Sequence, residues 1–155
     1  RSTLSSSSAA SDVYKRQMQY WLMKSEPSTW SWDQQVKVGA KGEGWDGVRN
    51  YQASNNMKAM KRGDLCFFYH SVKERDIIGI VKVIKEYHPD PTDKTSRFGM
   101  VTVVAVKPLK NRVNLDQIKD DERLNHLALV KQSRLSVMPI DLKSWKIICN
   151  LGGIK

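Results

Sequence analysis

The chain has 155 residues, 40% of them hydrophobic and 27% charged, the make-up of one folded domain and not of a disordered or fibrous chain. No stretch approaches the roughly 18 consecutive apolar residues of a membrane-crossing helix. Two cysteines without a CxxC pair, and three scattered histidines, exclude a zinc module or a disulfide scaffold as the organising device. The formal charge is +10, and only +2 of it comes from the first 17 residues, where Arg1, Lys15 and Arg16 stand against Asp12. The surplus therefore belongs to the folded part. It favours a polyanionic partner, nucleic acid ahead of membrane, although a basic surface that only aids solubility has the same arithmetic.

Residues 1–17 hold four consecutive serines and no apolar periodicity. They are expected to form a disordered, non-native leader, with no apolar h-region of a signal peptide, and the domain to span 18–155. Residues 20–23 read as a short aromatic strand ended by Pro27. Ser28 is expected to cap a helix over 29–36. Residues 39–47 form a glycine-rich loop around Trp45. Asn50 can cap a helix to about Met60, on which Ala53, Met57 and Met60 share a face, with Gly63 as its stop. The period then changes. Residues 65–69 are an apolar run, a strand covered on both faces. Residues 77–84 are β-branched, with Gly79 marking a bulge or barrel corner. Residues 88–97 are polar and turn-forming, the expected mobile loop. Residues 100–106 make a third strong strand. Asn114 or Asp116 starts a short helix, a helical turn follows over 121–127, and 133–137 is extended. Asp141 caps a last helix with Leu142, Trp145 and Cys149 on one face and Gly152-Gly153 as its stop. This order predicts an α+β domain built on a strongly bent sheet or partly open barrel with peripheral helices.

Four clusters have side chains suited to chemistry. Trp21, Lys24 and Ser25 lie on or at the end of the first strand, where they line a site or merely face water. The second cluster is Trp45, Val48, Arg49 and Asn50. Its glycines let backbone approach a ligand, its indole offers a stacking face, and Arg49 and Asn50 suit base edges or phosphates. Because Trp45 sits in a polar loop and not in an apolar run, its ring is expected to have few core partners. The third is Tyr69, His70 and Ser71. Adjacent strand residues point to opposite faces, so His70 and Ser71 cannot form a simple nucleophilic dyad. The fourth is Arg134, Leu135 and Ser136, where an arginine between serines suits a phosphate, though a bare basic loop has the same letters.

The motifs YWLMKSEPSTWSW (20–32), GWDGVRNYQASNNMKAMKRGD (44–64), FFYHS (67–71), GIVKV (79–83), YHPDPT (87–92) and LVKQSRLSV (129–137), closing on LGG, resemble the EVE domain of the PUA-like superfamily. The resemblance runs from Met18 to Gly153. It departs at Lys131, where relatives often carry arginine, and at His88, where an apolar or aromatic residue is usual. It implies a mixed, partly open β-barrel with helices around it and a concave pocket for a modified base. The related YTH domain holds a methylated base in an aromatic cage, and 5-methylcytosine-type bases are proposed for some EVE members. Carried onto this sequence, the resemblance places all thirteen residues of the four clusters in that pocket.

The expected function is thus a non-catalytic module that binds DNA or RNA carrying a methylated-type base, stacked on Trp45, with Arg49, Arg134 and lysines on phosphates. No cofactor or metal is expected. The competing readings are a small amide hydrolase acting on modified nucleosides, as in a neighbouring PUA-like branch, with Lys24 and Glu26 as its reactive pair, and a small-molecule sensor using the same pocket. Against the hydrolase, the sequence shows nothing that would lower the pKa of Lys24. The compartment expected is the cytoplasm, or the nucleus in a eukaryote, and not the exterior.

Overall fold

A computed structural model describes residues 18–154; the leader expected over 1–17 lies outside them. Six strands form one sheet in the order β2-β5-β4-β3-β1-β6. They are β1 Tyr20–Ser25, β2 Glu43–Gly44, β3 Leu65–His70, β4 Asp76–Pro89, β5 Gly99–Asn114 and β6 Val137–Ile140. β1 runs parallel to β3 and antiparallel to β6, and β3, β4 and β5 form an antiparallel meander. The order ends on β2 and β6, so the bent sheet is a barrel that stays partly open. Among the described residues five α-helices lie around it: α1 Trp32–Lys37, α2 Tyr51–Ala59, α3 Leu115–Asp120, α4 Ala128–Lys131 and α5 Leu142–Leu151.

β4 and β5 are far longer than their β-branched cores suggest. They extend because repeated register shifts, at Ile77/Gly79, Ile80/Val81, Val83/Lys85 and Lys85/His88, bend the pair without breaking it. The bulge expected at Gly79 is one of them. A Cβ there would stand 2.5 Å from the Trp32 ring, so Gly79 lets α1 press its tryptophan onto the sheet. The core is aromatic at its centre. Phe67 stacks on Trp145 at 3.9 Å, and Phe68 meets the edges of Trp32 and Trp45 at 5.4 and 5.5 Å. Both cysteines are buried and unpaired by disulfide, and burial pushes the Cys66 thiol pKa upward.

Several boundaries differ from expectation, each for a local reason. α1 begins at Trp32 because Ser31 and Gln34 form a reciprocal capping box, while Ser28 spends its hydroxyl on Glu26. The glycine loop contains β2, which pairs Glu43 and Gly44 with Val103 and Thr102. α2 keeps its Asn50 cap but stops at Ala59, where Met60 turns extended; Gly63 (φ +97) belongs to the next turn. The polar stretch after Tyr87 is partly strand, since β4 runs on to Pro89. Beyond it the Asp93 carboxylate gathers the backbone N–H groups of Thr95, Arg97 and Phe98. The segment expected to be extended from 133 becomes strand only at Val137. On α5, Trp145 and Cys149 are buried, but Leu142 is exposed. Of the two starts expected for the short helix, Asn114 is the cap and Asp116 lies in the first turn, and Asp141 caps α5 as expected.

Candidate functional site

Two cavities lie on either side of the end of β1, and Lys24 lines both. The first, of about 480 Å³, is bounded by Lys24, Ser25, Glu26, Thr29, Trp30, Glu43, Gly44, Trp45, Asp46 and Gly47. It is formed where the turn after β1 faces the loop at β2. Strand alternation and the break at Pro27 bring Ser25 to its floor, where the Ser25 hydroxyl donates to the Trp30 carbonyl. The Trp30 indole N–H donates to Gln35 Oε1 at 2.9 Å, and the buried Gln35 amide donates onward to the Val103 carbonyl at 3.1 Å. This chain of bonds fixes the Trp30 ring against the cavity. On the opposite side, Trp45 N–H donates to the Val101 carbonyl at 2.8 Å, and the residue is 7% exposed.

Trp45 therefore differs from the expected loop tryptophan. It has a core partner in Phe68 as well as a wall of the cavity. Its loop is held by Asp90, a buried carboxylate 43 residues beyond Gly47. Asp90 Oδ2 accepts from Gly47 N–H at 2.8 Å and from Arg49 Nη1 at 3.1 Å, while Oδ1 accepts from the Thr92 N–H and hydroxyl. Burial by itself would raise the pKa of Asp90; the donors from Thr92, Gly47 and Arg49 outweigh it and hold the carboxyl below its ordinary value.

A carboxyl depressed in this way contributes stability that is present above its unfolded pKa of about 3.9 and lost as pH falls through the folded value. Asp90→Asn is expected to cost about 1–3 kcal/mol at pH 7, the value of hydrogen bonds to a charged group. That gap should begin to close near pH 4 and vanish on further acidification. Urea unfolding of both proteins across pH 2–7 checks it, and a gap independent of pH would mean that charge on Asp90 does not hold the loop.

The second cavity, of about 470 Å³, is lined by Lys24, Tyr69, Ser71, Val72, Arg75, Leu115, Lys119, Leu129, Val130, Ser133, Arg134 and Ser136. Lys24 Nζ donates to the Ser133 carbonyl at 2.9 Å and lies 5.7 Å from the Tyr69 ring centre. Burial lowers the pKa of Lys24 from its ordinary value. The sequence offered no such cause, and the tertiary packing supplies it. Burial also pushes the Tyr69 phenol up to about 12.

The thirteen residues selected from sequence do not gather in one cavity. Lys24, Ser25 and Trp45 line the first; Lys24, Tyr69, Ser71, Arg134 and Ser136 line the second. Arg49 clamps the Trp45 loop, Asn50 caps α2, and Val48 and Leu135 are buried. Trp21 is 6% exposed, with its indole N–H on Asp64 at 3.1 Å. His70 accepts from the Trp32 N–H through Nε2, so its proton is on Nδ1, which bonds Glu74 at 2.7 Å. That bond, with Arg112 alongside, holds the Glu74 carboxyl below its ordinary pKa. His70 thereby joins α1 to the end of β3. Sequence reasoning missed Trp30, although it stands in the first motif, and also Glu43, Arg75 and Lys119. Among the described residues no cluster of histidine, cysteine and carboxylates could hold a metal ion, and no helix is long and apolar enough to cross a membrane.

Comparison with known proteins gives the family and the fold. The family model described as the EVE domain matches residues 19–151. The chain belongs to the EVE-domain family. A solved protein from Rhodopseudomonas palustris is 52% identical, with a TM-score of 0.83 over 88% of this chain and 94% of its own. Human THYN1, solved in complex with DNA containing 5-methylcytosine, is 31% identical, with a TM-score of 0.81 over 88% of this EVE-domain chain and 99% of its own. The YTH domain of the Zygosaccharomyces rouxii MRB1 protein, solved with N6-methyladenosine RNA, is 17% identical, with a TM-score of 0.52 over 90% of each chain. It shares the fold.

Proposed function

We propose that this EVE domain is a non-catalytic reader that takes one unpaired or extruded methylated base into the tryptophan cavity. A 5-methylcytosine in DNA is the base favoured. The observation that carries the reading is the pairing of two tryptophans, Trp30 and Trp45, around a cavity of about 480 Å³, in a domain similar to a human protein solved with methylcytosine DNA. An aromatic face returns about 1–3 kcal/mol per stacked base. Extrusion from a duplex costs a few kcal/mol, so a single strand is the better ligand. The carboxylates at the wall suit a base with an exocyclic amine, because an acidic side chain accepts from cytosine N4. Glu43 is the more enclosed of these acceptors, half-buried where Glu26 and Asp46 are exposed, and burial, with Asp46 nearby, raises its pKa.

Fluorescence anisotropy with labelled single strands tests this. A strand with one 5-methylcytosine is expected to bind about fourfold more tightly than its unmethylated twin, the effect of burying one methyl at about 0.8 kcal/mol. Equal affinities would end the reading. One observation favours the hydrolase alternative, since the lowered pKa of Lys24 makes its amine a better nucleophile. Chromatography of acylated nucleosides incubated with the protein separates the two: a reader leaves them intact.

A further inference from the structure

The two cavities are opposite in charge. The tryptophan cavity has Glu26, Glu43 and Asp46 at its wall with Lys24 the only cation in its lining, a surface that repels phosphate. The second has Lys24, Arg75, Lys119 and Arg134 and no carboxylate in its lining. Among the described residues Arg75, Lys119 and Arg134 form no ion pair, although Arg49, Arg112 and Arg123 each do. Asp76 and Asp116 act on the Tyr69 phenol from outside the lining. Unpaired like charges facing one concavity repel each other, and an anion between them removes that cost. The Tyr69 phenol, protonated at any ordinary pH, and the Ser71, Ser133 and Ser136 hydroxyls add neutral donors. At the wall, Val72 is held at φ +74, where β-branched residues are rare, and it is 63% exposed.

We propose that this basic cavity is a phosphate site, and that it holds a backbone phosphodiester of the strand whose base enters the tryptophan cavity. The inference rests on the base-reading function for its strand, and on the cavity alone for its phosphate. Lys24 is the shared wall. It lets one side chain sense a base on one side and a phosphate on the other. Direct arginine–phosphate contact positions a strand without reading its sequence, so this site would set where the strand lies and leave methyl preference to the tryptophans.

The test uses the full chain and the Arg75→Ala/Lys119→Ala variant, both exposed positions outside the tryptophan cavity. Inorganic pyrophosphate is titrated into each while amide shifts are followed by NMR. Saturable shifts at Ser71, Val72, Arg75 and Lys119, weakened in the variant, are expected; their absence overturns the site. Binding of the methylcytosine single strand is then measured from low to high salt. The variant is expected to flatten the slope of log affinity against log salt by about 0.7 for each phosphate it no longer neutralises, with the preference for the methylated strand unchanged. Pyrophosphate binding with an unaltered slope would overturn the backbone phosphodiester and assign the site to a free phosphorylated small molecule. Equal affinity for methylated and unmethylated strands would remove the base-reading function, while the pyrophosphate arm still decides the phosphate site.

Discussion

Replacing Trp45 by alanine is expected to lower the free energy of unfolding by about 3–5 kcal/mol, the usual cost of truncating a buried tryptophan. The residue is 7% exposed, and its ring meets Phe68 edge-on at 5.5 Å with an interplanar angle of 88°. Removing it opens a void behind the cavity wall and takes a partner from a fully buried phenylalanine. The loss is large against a typical total of about 5–15 kcal/mol, so the variant should remain folded at 25 °C but melt earlier. Urea unfolding followed by far-UV circular dichroism measures it, since five tryptophans make fluorescence ambiguous. A loss below about 1 kcal/mol would show that the ring is held for a ligand alone, since burial in the core costs several times more on truncation. Binding by this variant is a poor measure of stacking, because its cavity is deformed.

Trp30 gives the cleaner measure. It is half-buried on a bend and lines the same cavity. Trp30→Ala is expected to lower affinity for the methylcytosine strand by about 1–3 kcal/mol, the value of one base–aromatic stack. It also leaves the buried Gln35 carbonyl oxygen without the indole donor, a separate stability cost of about 1–3 kcal/mol. Trp30→Phe separates these effects. It loses the same N–H but keeps a ring, so it should share the stability loss and retain most of the affinity. Calorimetric titration of both variants decides. If phenylalanine and alanine lose affinity equally, the Trp30 ring face is not a stacking surface.

Much of this protein was legible without coordinates, because the signals were local. Asn50, Asn114 and Asp141 cap their helices through the N–H groups of Ala53, Gln117 and Ser144, close by in the chain. The unbroken apolar run of β3 marked a strand covered on both faces, and Gly79 marked a bulge. The motifs from residue 20 to 153 carried the family. What tertiary structure alone decided depends on residues far apart in the chain. The Trp45 loop is closed by Asp90, and the Trp45 ring is buried by Phe68. Lys24 acquires its lowered pKa from packing that the first motif does not contain. The division of seven of the thirteen candidate residues between an acidic-walled tryptophan cavity and a basic one follows from β1 lying between β3 and β6. That pairing sends Ser25 toward the β2 loop and sets Tyr69, Ser71, Arg134 and Ser136 around the other side. Spacing along a chain records which residues share an element. It holds no record of which side of a bent sheet a distant loop will cover, since that is settled by burial of apolar surface over the whole domain.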